Sequence, residues 1–160
     1  MLDLNLTSQQ RLVMETFFFG YQAFTAKADD MLARRGLSRV HQRILFFIAR
    51  EPGLSNKALL EVLNVSKQAL NIPLRQLLEM QLVAMETDAA DKRKRRLSLT
   101  RGGAALEQTL RREQMRLVQA ALASAGADAA EGWLAFNQAL AGRQESETES
   151  QDSSTPSVDS

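Results

Sequence analysis

Apolar residues recur along most of the chain at spacings of three and four, and at one place the period changes to two. The first stretch carries Leu12, Phe17, Phe18, Phe19, Tyr21 and Phe24. It reads as a helix opened by Thr7 or Ser8 and running to about Arg35, where Gly36 stops it. A second helix is capped by Ser38, presents Val40, Ile44, Leu45 and Ile48 inward, and ends at Glu51-Pro52-Gly53. Ser55 caps a short third helix over Asn56 to Val62. Asn64-Val65-Ser66 makes a turn, and Ser66 caps a fourth helix with an inward stripe of Leu70, Leu74, Leu77 and Leu78. An apolar run from Leu82 to Met85 then leads through a polar turn into the alternating segment Arg96-Leu97-Ser98-Leu99-Thr100, which is the pattern of a β-hairpin. Thr100 caps a long fifth helix with Leu106, Leu110, Leu117, Val118 and Leu122, ended by Gly126. Asp128 and Glu131 open a sixth, which holds Trp133, Leu134, Phe136 and Leu140 and closes at Gly142.

The distance from Ser55 to Ser66 fits a short helix, a tight turn and a longer helix, the helix-turn-helix unit. The hairpin follows it directly, and its tip holds five consecutive bases, Lys92 to Arg96. The expected fold is therefore mainly α with a small β-hairpin: a winged helix-turn-helix core flanked by long N- and C-terminal helices. The chain divides into a helix over 1–36, a winged lobe over 37–100, further helices over 101–142 and a tail over 143–160.

Charge sharpens this division. The 160 residues carry a net charge of only +1, but from Arg143 onward there is one base against Glu145, Glu147, Glu149, Asp152 and Asp159. That acidic end has no aromatic residue and reads as disordered. Without cysteine there is no disulfide, thiolate metal site or cysteine redox sensor. The single histidine, His41, reads as a surface or half-buried structural residue rather than a metal ligand, and no cofactor is expected. There is no glycine-rich phosphate loop, nucleophile motif or paired histidine, so an enzyme is not expected, and carboxylates such as Asp29, Asp30 and Glu107 read as solvated helix faces. No apolar run approaches the ~20 residues of a membrane span, and no secretory leader is apparent, which fits a cytoplasmic setting.

Basic residues on a hairpin behind a helix-turn-helix point to double-stranded DNA, whose phosphates attract and whose major-groove base edges carry the sequence. Opposite the leucine stripe, the fourth helix presents Lys67, Gln68, Asn71, Ile72 and Arg75, with Ser66 at its start. Glutamine and asparagine make paired hydrogen bonds to adenine, while lysine and arginine favour guanine or phosphate. Ile72 either touches a thymine methyl or is a plain exposed apolar residue. Ser55 and Lys57 stand where a helix start meets the DNA backbone, and Lys92 and Lys94 face phosphates. By strand alternation Arg95 and Arg96 diverge: one faces DNA or a partner wing, and the other lies along the hairpin. Pro73, about two turns inside the reading helix, removes the bond to the Ala69 carbonyl and should kink the helix or divide it.

Several segments together carry a resemblance over Leu37 to Leu110: Leu54-Ser55-Asn56-Lys57-Ala58-Leu59-Leu60, Val65-Ser66-Lys67, Leu82-Val83, Asp91-Lys92-Arg93 and Leu97-Ser98-Leu99-Thr100-Arg101-Gly102-Gly103. The chain resembles the MarR family of transcriptional regulators. The resemblance implies that Arg93 enters the minor groove, held by Asp91. It also implies a homodimer joined by the first and last two helices, and a palindromic operator. A small effector is implied in a cleft near Phe24, His41 and Arg11. The sequence departs from the family at Ile72, where a base is common, and at Pro73. The expected function is a sequence-specific DNA-binding regulator, a repressor by the family's habit. The alternative is a winged-helix module that binds another protein, with Ile72 and Pro73 marking a lost reading face.

Overall fold

The structure is a computed structural model that describes the backbone of residues 1–152 and the side chains of residues 1–142. It comprises two units, one over Met1–Leu117 and one beginning at Val118. In the first, α1 (Thr7–Ala33) and α2 (Arg39–Arg50) precede β1 (Leu54–Ser55), α3 (Asn56–Leu63) and α4 (Lys67–Glu79). Strands β2 (Val83–Thr87) and β3 (Arg95–Leu99) form the hairpin, followed by α5 (Arg101–Ala125), which runs on into the second unit, and α6 (Ala129–Asp152).

Short polar side chains start the helices of the lobe. Ser55 Oγ accepts the Ala58 N–H and Ser66 Oγ the Ala69 N–H, each at 3.1 Å. Thr100 Oγ1 accepts the Gly103 N–H at 3.0 Å. At α2 the reciprocal bond is made: His41 Nδ1 accepts the Ser38 N–H at 3.0 Å. Each bond satisfies a donor that the helix itself cannot. α1 departs from expectation, beginning at Thr7 after Leu6 with no side-chain cap. At its other end Gly36 turns left-handed (φ 70°) and the Leu37 N–H reaches back to the Leu32 carbonyl at 2.9 Å.

Pro73 does not divide the recognition helix, which is continuous from Lys67 to Glu79. The ring is buried beside Leu70, Leu74 and Leu77, so tertiary packing of that face offsets the missing bond to Ala69. The sheet is antiparallel in the order β1-β3-β2, with Leu97 facing both Leu54 and Met85. With two residues, β1 is too short for alternation to mark it in the sequence.

The core of this unit joins Leu32, Leu37, Ile44, Leu45, Ile48, Leu59, Leu77, Leu97, Leu106 and Leu110. Full burial of each such side chain contributes about 1.5–3 kcal/mol before conformational entropy is counted. α1 adds Ala28 and Leu32, whereas Leu12, Phe17, Phe18, Phe19 and Tyr21 are exposed. α5 approaches β2 backbone to backbone: a Cβ on Gly103 would stand 1.8 Å from the Leu82 carbonyl oxygen. In the second unit Gly126 (φ 111°) separates the helices, and Trp133, Leu134, Phe136 and Leu140 are all exposed. The α6 backbone continues to Asp152, beyond the stop expected at Gly142. The reading of 143–160 as a disordered acidic tail lies outside the fully described residues.

Candidate nucleic-acid interface

The leucine stripe of α4 fixes which side of the helix faces outward. With Leu70, Pro73, Leu74 and Leu77 buried, Lys67, Gln68, Asn71, Ile72 and Arg75 are all exposed. Ile72 is 59% exposed, an apolar side chain in the middle of a polar face. Arg75 lies 3.8 Å from Glu79, a surface pair too loose to hold the guanidinium in place. Ser66 and Ser55 each accept one backbone N–H as a helix cap, while Lys57 is exposed one residue inside α3. Asn64 takes the left-handed conformation (φ 51°) and reverses the chain between α3 and α4.

A contact that sequence reasoning missed ties this helix to the lobe. His41 is 6% exposed, and its Nε2 lies 2.7 Å from Gln76 Oε1 on α4. Because the Ser38 N–H points into Nδ1, the proton of the neutral ring sits on Nε2 and is donated to Gln76. His41 therefore links the start of α2 to the recognition helix. Its role is structural, as expected, but it is more buried than the surface or half-buried position read from the sequence, and with both ring nitrogens committed it does not line an open cleft. Arg11 lies instead by an open hollow of about 460 Å³ formed by α1 alone, with Met14, Glu15, Phe18 and Phe19. Phe24 is thirteen residues further along the same helix, about 20 Å at helical rise. The three residues expected around an effector are not brought together within one chain. A smaller hollow of about 50 Å³ lies between α2 and α5, lined by Gln42, Phe46, Glu107, Arg111 and Gln114. Glu107, expected on a solvated face, is buried there and accepts from Arg111 Nε at 2.9 Å.

The wing carries its charge on a structured turn. Asp91 Oδ1 accepts the Arg93 N–H and the Asp91 carbonyl accepts the Lys94 N–H, each at 3.0 Å. Asp91 thus holds Arg93 by its backbone amide and shapes the tip of the wing. The aspartate two residues before an amide is the signature of an Asx turn and was readable in the sequence. Lys92, Arg93, Lys94 and Arg95 are exposed, and none has a carboxylate partner among the described residues. Arg96 differs: its guanidinium pairs with Asp88 at 2.9 Å and donates to the Gly53 carbonyl at 3.2 Å. The Asp88 carboxyl is held below the usual carboxylate range, first by the Ala90 N–H and then by Arg96. No cluster of three metal-ligating side chains occurs among the described residues. No described helix is long and apolar enough to cross a membrane.

A capped two-helix reader followed by a cationic antiparallel hairpin defines a winged helix-turn-helix protein. The sequence pattern of the MarR family matches residues 35–94. The HTH-type transcriptional regulator PetP of Rhodobacter capsulatus is 43% identical over 138 residues, covering 86% of this chain and 81% of PetP. The chain belongs to the MarR family of helix-turn-helix transcriptional regulators. Among solved structures, a MarR protein from Peptoclostridium difficile has the same fold, with a TM-score of 0.72 and 18% identity over 92% of this chain and 94% of that one. The S. aureus MepR–DNA complex superposes with a TM-score of 0.64 at 18% identity, covering 81% of this chain and 96% of MepR.

Proposed function

We propose that this regulator binds a palindromic operator as a homodimer and represses transcription, with Gln68, Asn71, Ile72 and Arg75 reading the major groove. Lys57, Lys67, Lys92, Lys94 and Arg95 contact phosphates, and Arg93 enters the adjacent minor groove. A narrow minor groove concentrates negative potential and favours arginine there. Ser55 and Ser66 present helix starts to the backbone, and Asp91 shapes the turn that carries Arg93. The observation that carries this reading is the row of four bases without a carboxylate partner among the described residues, beside an exposed polar helix face that contains no acid before Glu79. Ile72 fits contact with a thymine methyl, the apolar feature of the major-groove edge.

Dimerisation follows from exposed apolar surface. Phe17, Phe18 and Phe19 on α1, and separately Trp133, Leu134 and Phe136 on α6, stand in water in the single chain. A second copy covering them makes a twofold dimer, whose symmetry requires a palindromic site. A small effector acts on the side of α2 and α5, where the hollow must widen to admit one.

Selection from random double-stranded DNA with the full chain tests the proposal. The expected product is a palindrome with half-sites about one helical turn apart, bound at least tenfold more weakly by Arg93→Ala. Recovery of no consensus, with tight binding to a protein instead, supports the protein-binding alternative.

A further inference from the structure

The basic run Lys92 to Arg96 is not uniform. Four of its members are exposed and pair with no carboxylate among the described residues, while Arg96, also exposed, is bound to two other segments of the lobe. Its Nε and Nη2 meet Asp88 Oδ2 at 3.0 and 2.9 Å, and its Nη1 donates to the Gly53 carbonyl at 3.2 Å. Gly53 belongs to the turn between α2 and β1, and its own N–H donates to the Leu97 carbonyl on β3 at 2.8 Å. Asp88 begins the wing loop: its side chain is only 11% exposed, its N–H donates to the Lys94 carbonyl at 2.9 Å, and its Oδ1 accepts the Ala90 N–H. One guanidinium thus joins the start of the wing loop, the strand that leaves it and the turn that follows α2.

A two-stranded ribbon is a weak element by itself and twists easily. The arm that carries Arg93 would swing relative to α4 unless its base were fixed at more than one edge. β1 supplies only two residues of pairing on the far side of β3. Arg96 supplies the rest, since a planar fork gives direction as well as attraction.

We propose that Arg96 is a positioning residue rather than a DNA contact. With Asp88 and the Gly53 carbonyl it sets the angle between the wing and the helix-turn-helix, so that Arg93 and the face of α4 reach neighbouring grooves at one spacing. The arrangement determines specificity: a loosely hinged wing still binds phosphates but no longer enforces a single register. The inference rests on the DNA-binding reading above, and its structural half stands without it.

Asp88→Asn gives the sharper test, because charge and positioning predict opposite signs. Removing an acid beside the wing raises affinity for random DNA through electrostatics alone. The positioning role predicts that operator binding weakens about tenfold, the scale of one lost base-pair contact, while random-sequence binding holds or rises. Arg96→Lys keeps the charge and loses the fork. It is expected to leave the salt slope unchanged while lowering the ratio of operator to random affinity. Amide exchange of Gly53 and Lys94, measured without DNA, should quicken in both variants while the amides of α2 and α5 remain protected. Tighter operator binding by Asp88→Asn would overturn the proposal. So would an Arg96→Gln variant that loses about one unit of salt slope equally on both DNAs, the mark of a phosphate contact. Unchanged exchange at Gly53 and Lys94 would overturn it as well. If the wild-type chain binds neither DNA, the DNA-binding reading fails, and the exchange measurement still decides whether Arg96 holds the wing.

Discussion

Gly103→Ala is expected to unfold much of this protein's stability margin, whereas Gly102→Ala, one residue earlier, is expected to be harmless or better. A methyl on Gly103 would meet the Leu82 carbonyl oxygen at 1.8 Å and its carbon at 2.8 Å. Non-bonded heavy atoms rest near 3.5 Å, so the two backbones must separate by about 1.5 Å or more. Neither is free to move. The Leu82 carbonyl accepts the Thr100 N–H at 3.1 Å, Thr100 Oγ1 donates to Gln81, and the Leu82 side chain is in the core. Overpacking typically costs about 1–3 kcal/mol, and loss of a buried backbone bond about another 1–3 kcal/mol. A loss of about 3 kcal/mol corresponds to a fall in Tm of about 10 °C for a domain of this size. At Gly102 the nearest atoms to an added methyl are Leu82 Cδ2 and Thr100 Oγ1, both at 3.8 Å. Alanine there relieves helix entropy and should stabilise by up to about 1 kcal/mol. Urea denaturation of the two variants, compared at equal m, measures both values. Equal midpoints for Gly103→Ala and the wild type would refute the reasoning about the α5–β2 approach.

Other consequences can be measured in the same way. Pro73→Leu restores a donor to the Ala69 carbonyl and keeps an apolar side chain at a buried position; it should raise stability by about 1–3 kcal/mol in the same urea titration. Gln76→Leu leaves the His41 Nε2–H without an acceptor in a buried site and should cost about 1–3 kcal/mol, while Gln76→Glu, which retains an acceptor, should cost less. The pH dependence follows from Asp88 and from Glu113, whose carboxyl is also held down, first by Lys27. A lowered folded value means that their contribution is complete above the ordinary carboxylate range near about 4 and is lost as pH falls below it. The double variant Asp88→Asn, Glu113→Gln should flatten that acid limb of the stability curve and leave the neutral region's slope alone.

Much of the lobe was legible because its signals are local. Ser55, Ser66 and Thr100 each stand where a helix start needs an acceptor, and each makes that bond. The leucine stripe of α4 faces the core as its spacing requires. What stayed hidden depends on contacts distant in sequence. His41 and Gln76 are thirty-five residues apart, so no local pattern announces their bond. Alternation shows that Arg95 and Arg96 diverge, but only the position of Asp88 and Gly53 decides that Arg96 is the one bound along the hairpin. Pro73 is the opposite case: of the two outcomes expected from its strong local penalty, division of the helix does not occur, and the ring is buried in the core-facing stripe. The link from Asp91 to Arg93 is local, two residues long, and runs through the Arg93 amide.

In the function proposed here, the exposed bases of the wing and the polar face of α4 form one DNA-binding surface. Affinity of the full chain for the selected operator, titrated against salt, tests it most directly. With about 0.9 unit of slope per neutralised phosphate, four or more contacts predict that log K falls with log salt at a slope of about −4 or steeper, and that Arg93→Ala removes about one unit. A salt-independent affinity, or a slope untouched when Lys92, Arg93 and Lys94 are all replaced by alanine, would contradict the account.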